Sequence, residues 1–189
     1  MNILRKVIVI TLCSLFLSAC GGLTSSNTPA NQTWWLTPYD ATAHKVTSEA
    51  PSPVVIVVSV VPGLDTNRIL TLSDDAQLNR YESARWPENL PELFQSLVGR
   101  TLESSGHFEV VTGRAGSDSV MCDLQLEVTG FFAELANDGK TTGVRVAVDG
   151  RFQCGSGDVV PVRLSVWEAV SDDRMSLIVA AFQRAVDEI

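Results

Sequence analysis

A chain of 189 residues that is 45% hydrophobic and 19% charged has the composition of a globular protein, and its length suits one domain once a targeting segment is set aside. Its formal charge of -8, with 14 Lys and Arg against 22 Asp and Glu and no run of three basic residues, argues against nucleic acid as a partner, because such binding rests on neutralising phosphates. The same acidity disfavours adsorption to anionic headgroups, so any hold on a membrane has to be covalent or hydrophobic.

The leader comes first. Residues 1–6 are short and positive, residues 7–17 are almost wholly apolar, and Leu17-Ser18-Ala19-Cys20 closes with small residues before a cysteine. This is the order of an exported protein's signal peptide. Eleven apolar residues rise only about 16 Å as a helix, well short of the roughly 30 Å hydrocarbon layer, so cleavage is expected rather than a permanent span. The tetrapeptide resembles the bacterial lipobox, which implies a signal peptide over residues 1–19 and lipid on Cys20; the plainer alternative is a standard secretory cleavage site. Two or three acyl chains together make a stable membrane anchor, where one binds only reversibly. Gly21 stands where Asp is commonly linked with inner-membrane retention, and so points by resemblance to the outer membrane, periplasmic face.

Residues 20–33 form the lipidated cysteine and a tether of Gly, Ser, Thr, Asn, Pro and Ala that cannot bury a core. Its thirteen residues after Cys20 reach at most about 45 Å. Trp34-Trp35-Leu36 opens the folded part as a short strand. Residues 54–61, seven β-branched and one serine between Pro53 and Pro62-Gly63, read as a central strand buried on both faces. Ile69-Leu70-Thr71-Leu72 reads as a short edge strand in a turn-rich stretch. Between Pro87 and Ser104 the apolar positions Leu90, Leu93, Phe94, Leu97, Val98 and Leu102 follow one helical face, with Gly106 as the stop. Residues 108–111 form a strand.

Residues 121–135 and the return through Val144, Val146 and Val148 make a long hairpin about Asn137-Asp138-Gly139-Lys140. Another strand covers residues 159–167. Ser171-Asp172-Asp173 is expected to cap a final helix whose buried stripe is Met175, Ile178, Val179, Phe182, Val186 and Ile189. The whole is a single α+β domain over residues 34–189, a mixed, mainly antiparallel sheet with two packed helices.

Little chemistry is written on this chain. His44 and His107 are the only histidines, and no spaced His and carboxylate cluster suits a metal. Neither a nucleophile elbow nor a phosphate loop with its Lys is present. Asp74-Asp75 and Asp172-Asp173 read as solvated charges. No catalytic residue, metal or cofactor is therefore expected, and an enzyme is disfavoured. Export brings Cys122 and Cys154 into an oxidising compartment. Their numbers are symmetric about the hairpin tip at Asp138, so they fall opposite one another if the loop is centred there. Two unpaired buried cysteines is the other reading, since a slip of one residue separates the faces.

From residue 62 to residue 97 the sequence resembles the ABC-type transport auxiliary lipoproteins, also called PqiC-like. The pattern stands here as Pro62, Leu64, Asp65 and Ile69, then Leu78, then Arg85-Trp86 and the helix with Leu90, Leu93 and Leu97. Trp34-Trp35-Leu36 takes the place of the family's opening aromatic pair and leucine. The resemblance implies an accessory subunit that docks an intermembrane lipid transport machine, with an inner-membrane ATPase and MCE-type lipid-binding proteins as partners. It leaves room for a homo-oligomeric ring, of which the sequence itself carries no signal. Trp34, Trp35, Leu64, Asp65, Arg85 and Trp86 become candidate partner-facing residues, although a Trp leading into a helix, as Trp86 does, also reads as core. Two other functions compete: a structural or assembly lipoprotein of the outer membrane, and a lipid-binding carrier, for which a two-helix, one-sheet domain looks too small to hollow out.

Overall fold

The computed structural model describes residues 31–44, 50–112 and 120–189, and the compact unit runs from Asn31 to Ile189. The expected signal peptide, Cys20 and most of the tether lie outside the described residues.

Eight strands and two α-helices build one two-layer α+β domain. The strands are β1 (Gln32–Thr33), β2 (Ser52–Val60), β3 (Arg68–Ser73), β4 (Leu78–Arg85), β5 (Phe108–Val110), β6 (Cys122–Leu135), β7 (Thr141–Cys154) and β8 (Val160–Ala169). The helices are α1 (Leu90–Ser105) and α2 (Met175–Glu188), and Ala41–His44 is a single 3-10 turn. The long strand β6 organises the sheet. Along one edge it pairs antiparallel with β7, which pairs antiparallel with β8. Along the other edge its first half takes β2 in parallel and its last four residues take β3 in parallel. Beyond β2 lies β5, and beyond β3 lie β4 and then β1. The sheet is mixed, with its longest ladders antiparallel, as expected.

Both helices cover one face. Trp86 makes edge contacts with Phe131 at 5.7 Å and Phe182 at 5.4 Å, and Phe94 with Phe131 at 6.0 Å, so a ring cluster ties α1 and α2 to β6. Pro91 sits in the first turn of α1, where a missing N–H costs nothing, and Gly106 ends the helix at φ 72°. The other face of the sheet is uncovered among the described residues and carries ion pairs such as Arg145–Glu134 (2.6 Å) and Arg163–Asp149 (3.0 Å).

Four expectations change. The opening strand falls on Gln32–Thr33, within the stretch read as tether, because the Trp34 N–H reaches the Arg85 carbonyl and zips the two preceding residues to β4. Strand β2 is central but buried on one face only; Val54 and Ile56 point under the helices, whereas Val57 is half exposed on the uncovered face. Strand β3 is internal, not an edge, since β4 flanks it, and that strand's polar sequence carried no strand signal. Finally, Ser171 does not cap α2. Its flanking cap is Arg174, and the Asp173 carboxylate instead accepts bonds from the N–H and hydroxyl of Thr141.

The hairpin holds the register read from its tip. Thr129 is an extra residue on β6 and Thr142 an extra residue on β7, and these two bulges cancel. Cys122 therefore stands opposite Cys154, and a disulfide joins them with Cα atoms 3.9 Å apart.

Candidate functional site

The residues that carry the family pattern are brought together at one end of the domain, and their contacts are largely internal. The segment before β3 folds against the β4–α1 junction: the Trp86 N–H donates to the Asn67 carbonyl at 2.8 Å and the Leu90 N–H to the Thr66 carbonyl at 3.2 Å. Leu64 and Trp86 are 3% and 1% exposed, so neither faces a partner. They fill the core, because a leucine and an indole entering the helix layer are where the apolar faces of sheet and helix meet. Arg85 is half-buried, its guanidinium Nε donating to the Thr33 hydroxyl at 3.2 Å. Trp34 is also partly buried, with an indole N–H that finds no partner. Asp65 and Trp35 are exposed, Trp35 at 60%, and these two alone of the six keep the surface position a contact would need.

The sequence reading missed two surfaces. The first is the free edge of β8, which pairs with β7 and with no other strand among the described residues. Val160, Leu164 and Trp167 on this strand are 54%, 38% and 46% exposed. Trp167 is held rather than loose. Its indole N–H donates to Glu134 Oε2 at 2.8 Å, while the other oxygen of that carboxylate pairs with Arg145. A side chain at Gly143 would lie 2.5 Å from the Trp167 ring, so only glycine lets the ring lie flat across β7. An unpaired edge with a rigid, half-exposed tryptophan is a ready template for a partner strand, and tryptophan is a frequent interface anchor. The alternation along residues 160–167 announced a strand, but nothing in it announced an edge.

The second surface is an apolar groove of about 590 Å³ between the C-terminal half of α1, the end of α2 and the helix-side face of β6, β7 and β8. Leu97 and Val98 of α1 form one wall, Val186 of α2 another, and Leu126, Val148 and Leu164 the floor. The domain is thus large enough to hollow out, contrary to the sequence expectation. The helical stripes did contain a signal. Leu90, Leu93, Phe94 and Leu97 are buried, but Val98, Thr101 and Leu102 farther along the same face are only partly covered.

A third cluster is structural. The Tyr81 hydroxyl lies 2.7 Å from the Thr141 hydroxyl, which in turn meets Asp173, and this chain fastens β4, the start of β7 and the approach to α2. Burial pushes the Tyr81 phenol above its ordinary range, opposed by the Thr141 bond and reinforced by the Asp173 charge. Among the described residues, no group of His, Cys, Asp or Glu is placed to hold a metal ion.

The fold has solved counterparts. A crystal structure of an uncharacterized protein superposes with a TM-score of 0.64 at 17% identity, over 84% of this chain and 93% of that one. Protein XCC0632 from Xanthomonas campestris, of family DUF330, gives 0.62 at 20% identity, over 84% and 87%. At these identities the likeness shows the fold alone. No curated protein matches the sequence significantly. The family model for the ABC-type transport auxiliary lipoprotein component matches residues 35–189, nearly the whole compact unit, and this chain belongs to that family.

Proposed function

We propose that this chain is a non-catalytic accessory subunit of an ABC-type intermembrane lipid transport system, held at the periplasmic face of the outer membrane by lipid on Cys20 and docking MCE-type subunits of that system. The observation that carries this reading is the family match over residues 35–189. The free edge of β8 supports it, since a docking subunit needs a preformed surface. Strand addition there would supply main-chain hydrogen bonds, and Val160 and Trp167 would supply side-chain contacts. A photo-crosslinking residue placed at Trp167 in intact cells tests the docking role. The expected adduct is with an MCE-type or other subunit of an ABC system. Adducts solely with outer-membrane assembly proteins, or solely with further copies of this chain, would overturn it.

A further inference from the structure

We propose that the groove between α1, the end of α2 and strands β6–β8 holds one acyl chain of a bilayer phospholipid whose head carries an amine. This deepens the lipid-transport reading and rests on it for the source of the lipid.

The apolar stripes of the two helices are the starting point. On α1 the stripe runs on past Leu97 through Val98 and Leu102, and on α2 it runs on to Val186 and Ile189. These outer residues are only partly covered, and Val98, Leu102, Val186 and Ile189 all line the groove. Both helices therefore present core-like surface to an open space, and burying that surface is favourable for any apolar occupant.

Size and chemistry choose among occupants. The groove's volume of about 590 Å³ falls in the range of small-molecule sites, roughly 300 to 1,000 Å³. Phe94 and Ser105 both line it, and eleven residues of helix separate them by about 16 Å. Half of a roughly 30 Å hydrocarbon layer, the reach of a single acyl chain, is about 15 Å. An extended peptide fits these walls poorly. Its backbone N–H and C=O groups would need partners on walls that are mostly hydrocarbon, and the Ser105 hydroxyl already donates to the Leu102 carbonyl at 2.6 Å. An alkyl chain brings no polar group to satisfy.

Charge then selects the head. Asp187 and Glu188 are among the residues that line the groove, together with Tyr39 and His107, and no Lys or Arg is; Asp187 Oδ1 accepts from the Gln183 side-chain amide at 2.8 Å. A head of net negative charge meets repulsion there, whereas an ammonium group is attracted by the two acidic side chains.

The test uses the full lipoprotein in vesicles of phosphatidylethanolamine and phosphatidylglycerol, with a trace of phospholipid carrying a diazirine in its acyl chain. After irradiation, adducts are mapped by mass spectrometry. Adducts are expected on residues 94–105 and 162–164. Either Leu164→Trp or Thr101→Trp, each adding a ring to open space, should lower them at least fivefold without changing the melting temperature by more than a few degrees. The phosphatidylethanolamine probe should label several-fold more than the phosphatidylglycerol probe, and the double variant D187N/E188Q should bring the two together. Label confined to residues 20–33, equal label in the filled variants, or a groove closed to vesicle lipid by the chain's own anchor or by a protein partner would overturn the proposal. Loss of groove label with Trp167 crosslinks retained would sink the lipid site and leave the docking role standing, and the reverse result would do the opposite.

Discussion

Trp86 shows how far one residue's role depends on what folds around it. From sequence alone an indole leading into a helix fits both a core and an interface. The structure decides for the core: the residue is 1% exposed, its ring meets two phenylalanines from β6 and α2, and its N–H ties it to the strand-leading segment at Asn67. Truncating it removes contacts to α2 and the sheet at once. Trp86→Ala is expected to cost about 3 to 5 kcal/mol, at the large end for single core substitutions. Denaturant unfolding of the wild type and variant measures this, and matching midpoints would contradict the core role. Trp167 is the converse case. Its place in an alternating strand said nothing about exposure, because which strand ends a sheet is set by pairings distant in sequence.

At the scale of elements, the signals that survived were those generated by a repeated local constraint. The stripe on α1 and its glycine stop reproduce the observed helix closely, since side-chain period and the left-handed cap are local. The β6–β7 hairpin was legible from its tip, although its alternation breaks where the bulge at Thr129 switches the inward set from Leu126 and Val128 to Phe131 and Ala133. Strand β4 was not legible, because Asn79, Arg80 and Glu82 are all exposed and need no apolar alternation. The groove was half legible: its walls were in the helical pattern, but the pattern cannot say that no other described residue covers them. The cancelling bulges matter most for the disulfide between Cys122 and Cys154, which closes a loop with a sequence separation of 32. A chain-entropy account gives about 3 to 4 kcal/mol for a loop of this size. Thiol labelling of the unreduced, denatured protein should find neither Cys122 nor Cys154 reactive, and Cys154→Ala should lower stability by an amount of that order. Two freely labelled thiols at these positions would show that the exported protein leaves the bridge open.

For the whole molecule, the order of elements from Trp34 onward was readable as a family pattern, and the match over residues 35–189 bears that out. On the proposed reading, what places the domain in the cell lies before it, in the expected leader and Cys20. Among the described residues no helix is long and apolar enough to cross a membrane; α1 and α2 have 16 and 14 residues and both bury one face against the sheet. In the proposed function, the acyl chains on Cys20 are the anchor on which membrane location depends. The full chain's net charge is -8 and Arg5 and Lys6 lie in the expected leader, so the more acidic domain has no electrostatic attraction to anionic lipid that would replace them. An acyl chain contributes about 0.8 kcal/mol per buried methylene, so losing every chain turns stable attachment into none, whereas a single remaining chain would leave only reversible binding. Cys20→Ala is therefore expected to leave the protein either unprocessed, with its leader still attached, or released in soluble form. Fractionation of membranes and periplasm, with the mature N-terminus read by mass spectrometry, distinguishes these states. A Cys20→Ala protein recovered correctly processed in outer membranes would show that something other than lipid on Cys20 holds the domain there.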